Sequence, residues 1–201
     1  GGGRFDGGIL YYMPQTWTSD DTDAIERLMI QEGTSLVYPT SSMGSHVSAV
    51  PNHQVHRSTP LNTRGVVAMA GSFGYELDVT KMNEEEKEEV KKQVEFYKNI
   101  RSTVQFGDLY RLKSSFDSNE AAWMNLSKDG KEVVVSYVKK YAEANVIPRR
   151  LKVKALDENS LYEVIETGEV FGGDELMYIG LEIGELMGDY QAKNWTLRKV
   201  D

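Results

Sequence analysis

The sequence predicts a two-part fold, α/β followed by all-β, and three observations carry it. Helix-like stretches separated by loops occupy the first hundred residues, two of them behind an acidic or capping start at Asp20–Asp23 and Asn83. From Asp108 the apolar period shifts to two, as in strands with one buried face. Turn signals then punctuate the chain to its end, with roughly six to eight short strands in the pattern of an antiparallel sandwich. The boundary falls near residue 102, so that 1–102 form the α/β part and 103–201 the sandwich.

Ile9 to Trp17 is apolar and aromatic and reads as a buried strand interrupted near Pro14. Behind it, Asp20-Asp21-Thr22-Asp23 precedes Ala24, Ile25, Leu28 and Met29, an amphipathic start that predicts a helix over 22–33. Strand, acidic loop and helix make a β–α unit. A second helix is predicted over 63–70. A third, over 83–101, starts at Asn83 with Glu86 three residues on, and carries Val90, Val94 and Tyr97 beside Phe96 and Ile100. Further on, Leu151, Val153 and Ala155 alternate with Lys152 and Lys154, and Trp195 and Leu197 alternate with Thr196 and Arg198. Asp129-Gly130 joins Trp123–Leu126 to Val133–Val138 as a tight hairpin.

Composition narrows the function. The chain has 201 residues, 40% of them apolar, which suffices for a packed core. Its formal charge of -8 and lack of any basic block argue against nucleic acid or an anionic membrane as partner. Mean hydropathy of -0.47, with no long apolar run, predicts no transmembrane span. The absence of cysteine excludes disulfides and thiolate chemistry. The start Gly1-Gly2-Gly3-Arg4, with neither Met nor a signal pattern, reads as the middle of a longer chain.

Trp17-Thr18-Ser19-Asp20-Asp21-Thr22-Asp23 brings three carboxylates to the end of a strand, where α/β scaffolds place catalytic groups. Crowded carboxylates raise one another's pKa, which suits a general acid. Helix capping explains the same residues and would lower the pKa instead, so spacing alone leaves both readings open. The stretch lacks the glycine and terminal glutamate of a calcium loop. His46, His53 and His56 match no zinc spacing and read as hydrogen-bonded loop residues, so no metal site is expected. Gly172-Gly173 reads as a turn followed by solvated Asp174-Glu175. There is neither a GxGxxG nor a phosphate loop, and no cofactor is expected.

Three longer stretches carry a resemblance: Gly-Gly-Gly-Arg-Phe-Asp (1–6), Tyr-Tyr-Met-Pro-Gln-Thr-Trp-Thr-Ser-Asp-Asp-Thr-Asp-Ala-Ile-Glu-Arg-Leu (11–28) and Met-Gly-Ser-His-Val-Ser-Ala-Val-Pro-Asn-His-Gln (43–54). With Thr-Arg-Gly (63–65), Phe-Gly-Tyr-Glu-Leu-Asp (73–78) and Gly-Gly-Asp-Glu-Leu-Met (172–177), they resemble the family 36 glycoside hydrolases, the bacterial α-galactosidases, along the whole chain. The resemblance implies the last units of an incomplete TIM (β/α)8 barrel followed by a C-terminal antiparallel β-sandwich. It implies a retaining hydrolase of terminal α-linked galactose in melibiose or raffinose-type sugars, cytoplasmic and homo-oligomeric at full length. The family's general acid/base falls on Asp20, which also contacts substrate, and its sugar-binding loop glycine falls on Gly1. Its nucleophile, in a Lys-Trp-Asp motif on an earlier strand, has no counterpart in these residues. A full barrel needs about 250 residues, so the resemblance describes a C-terminal fragment that is inactive alone. Same-fold alternatives are an α-N-acetylgalactosaminidase and a raffinose-synthase-like galactosyl transferase. The remaining alternative is a non-catalytic sugar-binding module.

Overall fold

A computed structural model describes residues 6–145 and 147–200. It divides into two units, Gly1–Gln105 and Phe106–Asp201.

The first unit alternates strand and helix: β1 (Thr16–Trp17), α1 (Ala24–Ser35), β2 (Met43–Ser48), α2 (Leu61–Ala68), β3 (Ser72–Glu76) and α3 (Glu84–Phe106). The strands form one parallel sheet in the order β1-β2-β3, the product of two consecutive crossovers. β2 lies in the middle and is buried almost throughout, with Met43, Ser45 and Val47 on or near zero exposure. On α1, Ala24, Ile25 and Leu28 make the buried stripe that their spacing predicts. α3 begins with a reciprocal capping box, in which Glu86 N–H donates to Asn83 Oδ1 (2.9 Å) and Asn83 N–H donates to Glu86 Oε2 (3.0 Å). The helix continues past the predicted end at 101, because Thr103 and Val104 prolong the buried face begun by Tyr97 and Ile100. With three parallel strands among the described residues, this unit is an incomplete barrel.

The segment 9–17 departs from expectation. Ile9–Tyr11 is a 3-10 turn, and Tyr11, Tyr12 and Met13 are exposed rather than buried in a strand. Tyr12 and Met13 N–H both donate to the Ile9 carbonyl, which closes a helical turn that an extended chain could not make. Only Thr16 and Trp17 pair with β2.

The second unit is antiparallel. Its strands are β4 (Asp108–Lys113), β5 (Glu120–Leu126), β6 (Glu132–Lys139), β7 (Arg150–Leu151), β8 (Leu161–Val164) and β9 (Glu169–Gly172), then α4 (Gly173–Tyr178), β10 (Leu181–Glu182) and β11 (Gln191–Val200). Six strands form one sheet in the order β4-β5-β6-β11-β8-β9, while β7 pairs with β10. Met124, Val133, Val135, Tyr137, Trp195 and Leu197 from the large sheet share one core with Leu151, Leu176, Leu181 and Ile183 from the layer opposite. This is a β-sandwich with one reduced layer. The β5–β6 hairpin turns as the Asp129-Gly130 pair requires, with Gly130 at φ +73 and its N–H donating to the Ser127 carbonyl.

Two local expectations change here. The predicted strand Leu151–Ala155 shortens to Arg150–Leu151, because Val153 N–H is taken by the Leu176 carbonyl and Ala155 adopts φ +57. Gly173 opens the short helix α4 instead of forming a free turn, and a β-carbon there would collide with the Asp157 carbonyl oxygen.

Candidate active site

The parallel register puts the carboxyl ends of β1, β2 and β3 at one rim, and the loop 18–23 leaves that rim to enter α1. Each acidic residue of the loop has a separate place. Asp23 is the N-cap of α1: its Oδ2 accepts from Ile25 N–H (3.1 Å) and Glu26 N–H (3.0 Å), and it pairs with Arg57. Asp21 accepts the Asp23 N–H (3.0 Å), while its own N–H donates to Ser19 Oγ (3.1 Å). Asp20 is exposed at the turn itself, outside the cap. The capping explanation therefore belongs to Asp23, with Asp21 holding the backbone of the cap residue.

Buried arginines hold the rim in shape. Arg27, on α1, donates to the Gly44 carbonyl (2.9 Å) and the Ser19 carbonyl (3.5 Å), tying the residue before Asp20 to β2. Burial lowers its pKa, with Asp21 and Glu76 acting against that, yet a guanidinium so supplied with acceptors stays charged. Its Nε donates to Gln31 Oε1 (3.3 Å), which also accepts from Ser45 Oγ (3.1 Å). Arg64 ties the end of β2 to the loop before α2, donating to the Ser48 (2.7 Å) and Thr59 (3.1 Å) carbonyls. Asn52 Nδ2 donates to Thr22 Oγ1 (3.2 Å), linking the loop that carries Asp20 to the loop after β2.

The histidines separate. His53 and His56 are exposed on the loop after β2, whereas His46 sits within β2 itself, contrary to its predicted loop setting. Trp17 donates its indole N–H to His46 Nε2 at 2.6 Å, and His46 Nδ1 lies 3.9 Å from Glu76 Oε2. Among the described residues, no group of three or more His, Asp or Glu could hold a metal ion. Gly1, the other predicted substrate contact, lies outside the described residues. Sequence reasoning missed the contact between Trp17 and His46 and the arginine ties. Their signal was the parallel pairing of two strand ends, which local periodicity does not report.

Residues 1–107 match the Melibiase family model, and residues 120–197 match that of the glycosyl hydrolase family 36 C-terminal domain. The α-galactosidase AgaA of Geobacillus stearothermophilus is 58% identical over 200 residues, which are 100% of this chain and 27% of that protein. Mel36A, an α-galactosidase of Lactobacillus acidophilus, is 54% identical, again over 100% of this chain and 27% of its own length. The crystal structure of an AgaA variant in complex with 1-deoxygalactonojirimycin superposes with a TM-score of 0.96 at 58% identity, covering 100% of this chain and 28% of that one. A second AgaA variant, in complex with raffinose, gives the same TM-score of 0.96 at 57% identity. This chain thus spans about a quarter of these relatives, with both regions matched in order. An acid-bearing parallel strand end and a following antiparallel sandwich, matched at this identity, place the chain in the melibiase family, glycoside hydrolase family 36.

Proposed function

We propose that residues 1–201 form the acid/base side of the active site and the C-terminal sandwich of a retaining α-galactosidase acting on melibiose and raffinose-type sugars. The observation that carries this reading is the division of labour in loop 18–23, where Asp23 caps the helix and Asp20 stays exposed at the end of β1. In the reaction, the Asp20 carboxylic acid donates its proton to the glycosidic oxygen as the bond from that oxygen to the galactose C1 breaks. A carboxylate outside these residues attacks C1 and becomes a galactosyl ester. Asp20, now a carboxylate, takes a proton from the water that attacks C1, which frees the ester and restores the acid. The 201 residues contain no Lys-Trp-Asp motif, so on this reading they have no turnover by themselves. Gly1 is assigned to the sugar-binding loop, and a cytoplasmic homo-oligomer is the assembly that the family resemblance supports.

The test is Asp20→Ala in the longer enzyme that carries these residues. Melibiose hydrolysis should slow by about 10²–10⁴-fold, the usual worth of acid–base catalysis. With an activated aryl galactoside the galactosyl-enzyme should accumulate, and azide should restore turnover as a galactosyl azide forms. Unchanged melibiose hydrolysis would remove Asp20 from the mechanism.

A second reading, a sugar-binding role for the sandwich, has one observation in its favour. A cavity of about 590 Å³ opens in the second unit, lined by Tyr137, Arg149, Ile183 and Met187 among others. Calorimetric titration of galactosides should show heat that Arg149→Ala abolishes if the cavity is a sugar site, and no heat that depends on Arg149 if it is not.

A further inference from the structure

Trp17, His46 and Glu76 come from three successive strands, and the register puts them on one face of the sheet. Trp17 is paired with Gly44, His46 follows Gly44 by two residues, and Glu76 is paired with Ser48, two residues beyond His46. That face is opposite the one whose Ser45 reaches Gln31 on α1. Trp17 is 49% exposed, yet its indole N–H is committed to His46 Nε2 at 2.6 Å, with the two rings nearly edge-on (centroids 5.2 Å apart, 70° between planes). Gly44 makes this reach feasible. A β-carbon there would lie 3.2 Å from Trp17 Cδ1 and 3.3 Å from the Thr16 carbonyl oxygen, so a larger residue would push the indole away from β2.

Accepting an N–H at Nε2 requires His46 to be neutral, with its proton on Nδ1 facing the Glu76 carboxylate 3.9 Å away. Burial lowers the His46 pKa, Glu76 on β3 opposes that shift, and Arg27 on α1 adds to it, so the neutral form prevails near neutral pH. The indole is thereby held in one orientation three residues before Asp20. Groups beside a general acid flank the sugar whose oxygen it protonates, and an aromatic face suits the C–H side of a pyranose.

We propose that His46 is a positioning residue that fixes the Trp17 indole as a wall of the sugar site beside Asp20. The proposal rests on the assignment of Asp20 made above, and its test separates the two. In the longer enzyme, His46→Ala should raise KM for melibiose by about 3- to 10-fold, the worth of one neutral hydrogen bond, with a smaller change in kcat. His46→Gln, whose amide oxygen can accept the indole N–H, should return KM to within about threefold of the parent value. In a Trp17→Phe background the N–H is gone, and His46→Ala should then add less than about a twofold change, within the limit of independent sites. An equal His46→Ala effect in both backgrounds would show a merely structural role and overturn the proposal. Should His46→Ala fail to fold, the unaltered enzyme decides. Its Trp17 indole N–H resonance, assigned by loss in Trp17→Phe, should shift as pH falls through a midpoint below the ordinary imidazole value of about 6.5. A resonance that stays fixed at every pH from neutral down to the onset of acid unfolding would overturn it as well. Asp20→Ala assayed alongside reports on the acid alone, because neither the resonance nor the double-mutant comparison depends on it.

Discussion

The two units use their buried polar groups differently. In the first, Asp23, Arg27 and Arg64 are each under 9% exposed and all serve loops at the strand ends, where they tie backbone carbonyls or cap a helix. In the second, the core is apolar from Met124 to Leu197, and a buried carboxylate, Glu120, is gathered at one end of β5 by Lys113, Tyr137 and Arg149. A parallel sheet with its site at the strand ends needs those loops held still, because catalytic groups tolerate little displacement. A sandwich needs only to exclude water from its interior.

Deleting packing should hurt the second unit most. Trp195, 2% exposed in the middle of β11, should cost about 3–5 kcal/mol when changed to alanine, the range for buried aromatics. Denaturant unfolding measures it, and a loss below about 1 kcal/mol, the scale of a surface substitution, would break the contrast. Next comes Glu120→Ala, expected to cost about 1.5–3 kcal/mol from the lost charge-assisted hydrogen bonds. Burial pushes the Glu120 carboxyl up, but the donors Lys113, Tyr137 and Arg149 outweigh it and hold its pKa below the usual glutamate value. A depressed carboxylate stabilises the fold above its unfolded pKa and loses that contribution as pH falls through its folded one. The destabilisation caused by Glu120→Ala should therefore shrink in acid.

In the first unit, Asp23→Ala should cost about 0.5–2 kcal/mol, the worth of an N-cap, read as a lower melting temperature. Asp157 gives a smaller effect. Ser160, Lys199 and the Asn159 N–H pull its pKa down to about 2, so its stabilising share should fade only as pH drops from its ordinary 3.8 toward that value. Titration of its carboxyl carbon by NMR checks the midpoint. Smallest of all, Asp20→Ala should leave stability within about 0.5 kcal/mol, the range for exposed surface positions. A loss matching that of Asp23→Ala would erase the distinction between capping and exposed carboxylates on which the proposed mechanism depends.

Much of this was legible beforehand because it is local. The stripe Ala24–Ile25–Leu28, the Asn83–Glu86 box, the Asp129-Gly130 hairpin and the alternation around Trp195 each follow from residues within a few positions of one another. The segment 9–17 was misread because an apolar run resembles a buried strand whenever nothing in it shows that its aromatic rings lie in the open.

By itself, the sequence determined the order of the two folds, the helices of the first, the hairpin of the second, and the position of an acidic loop at the end of a strand. Only the tertiary structure decided which carboxylate caps and which stays exposed, since Asp20, Asp21 and Asp23 are chemically alike and differ in the N–H groups and the arginine that surround them. It likewise decided the partners of Trp17, Arg27 and Arg64. These contacts join residues 16 to 29 positions apart through strand register and helix packing, and no periodicity within either segment encodes which residue of the other it will meet.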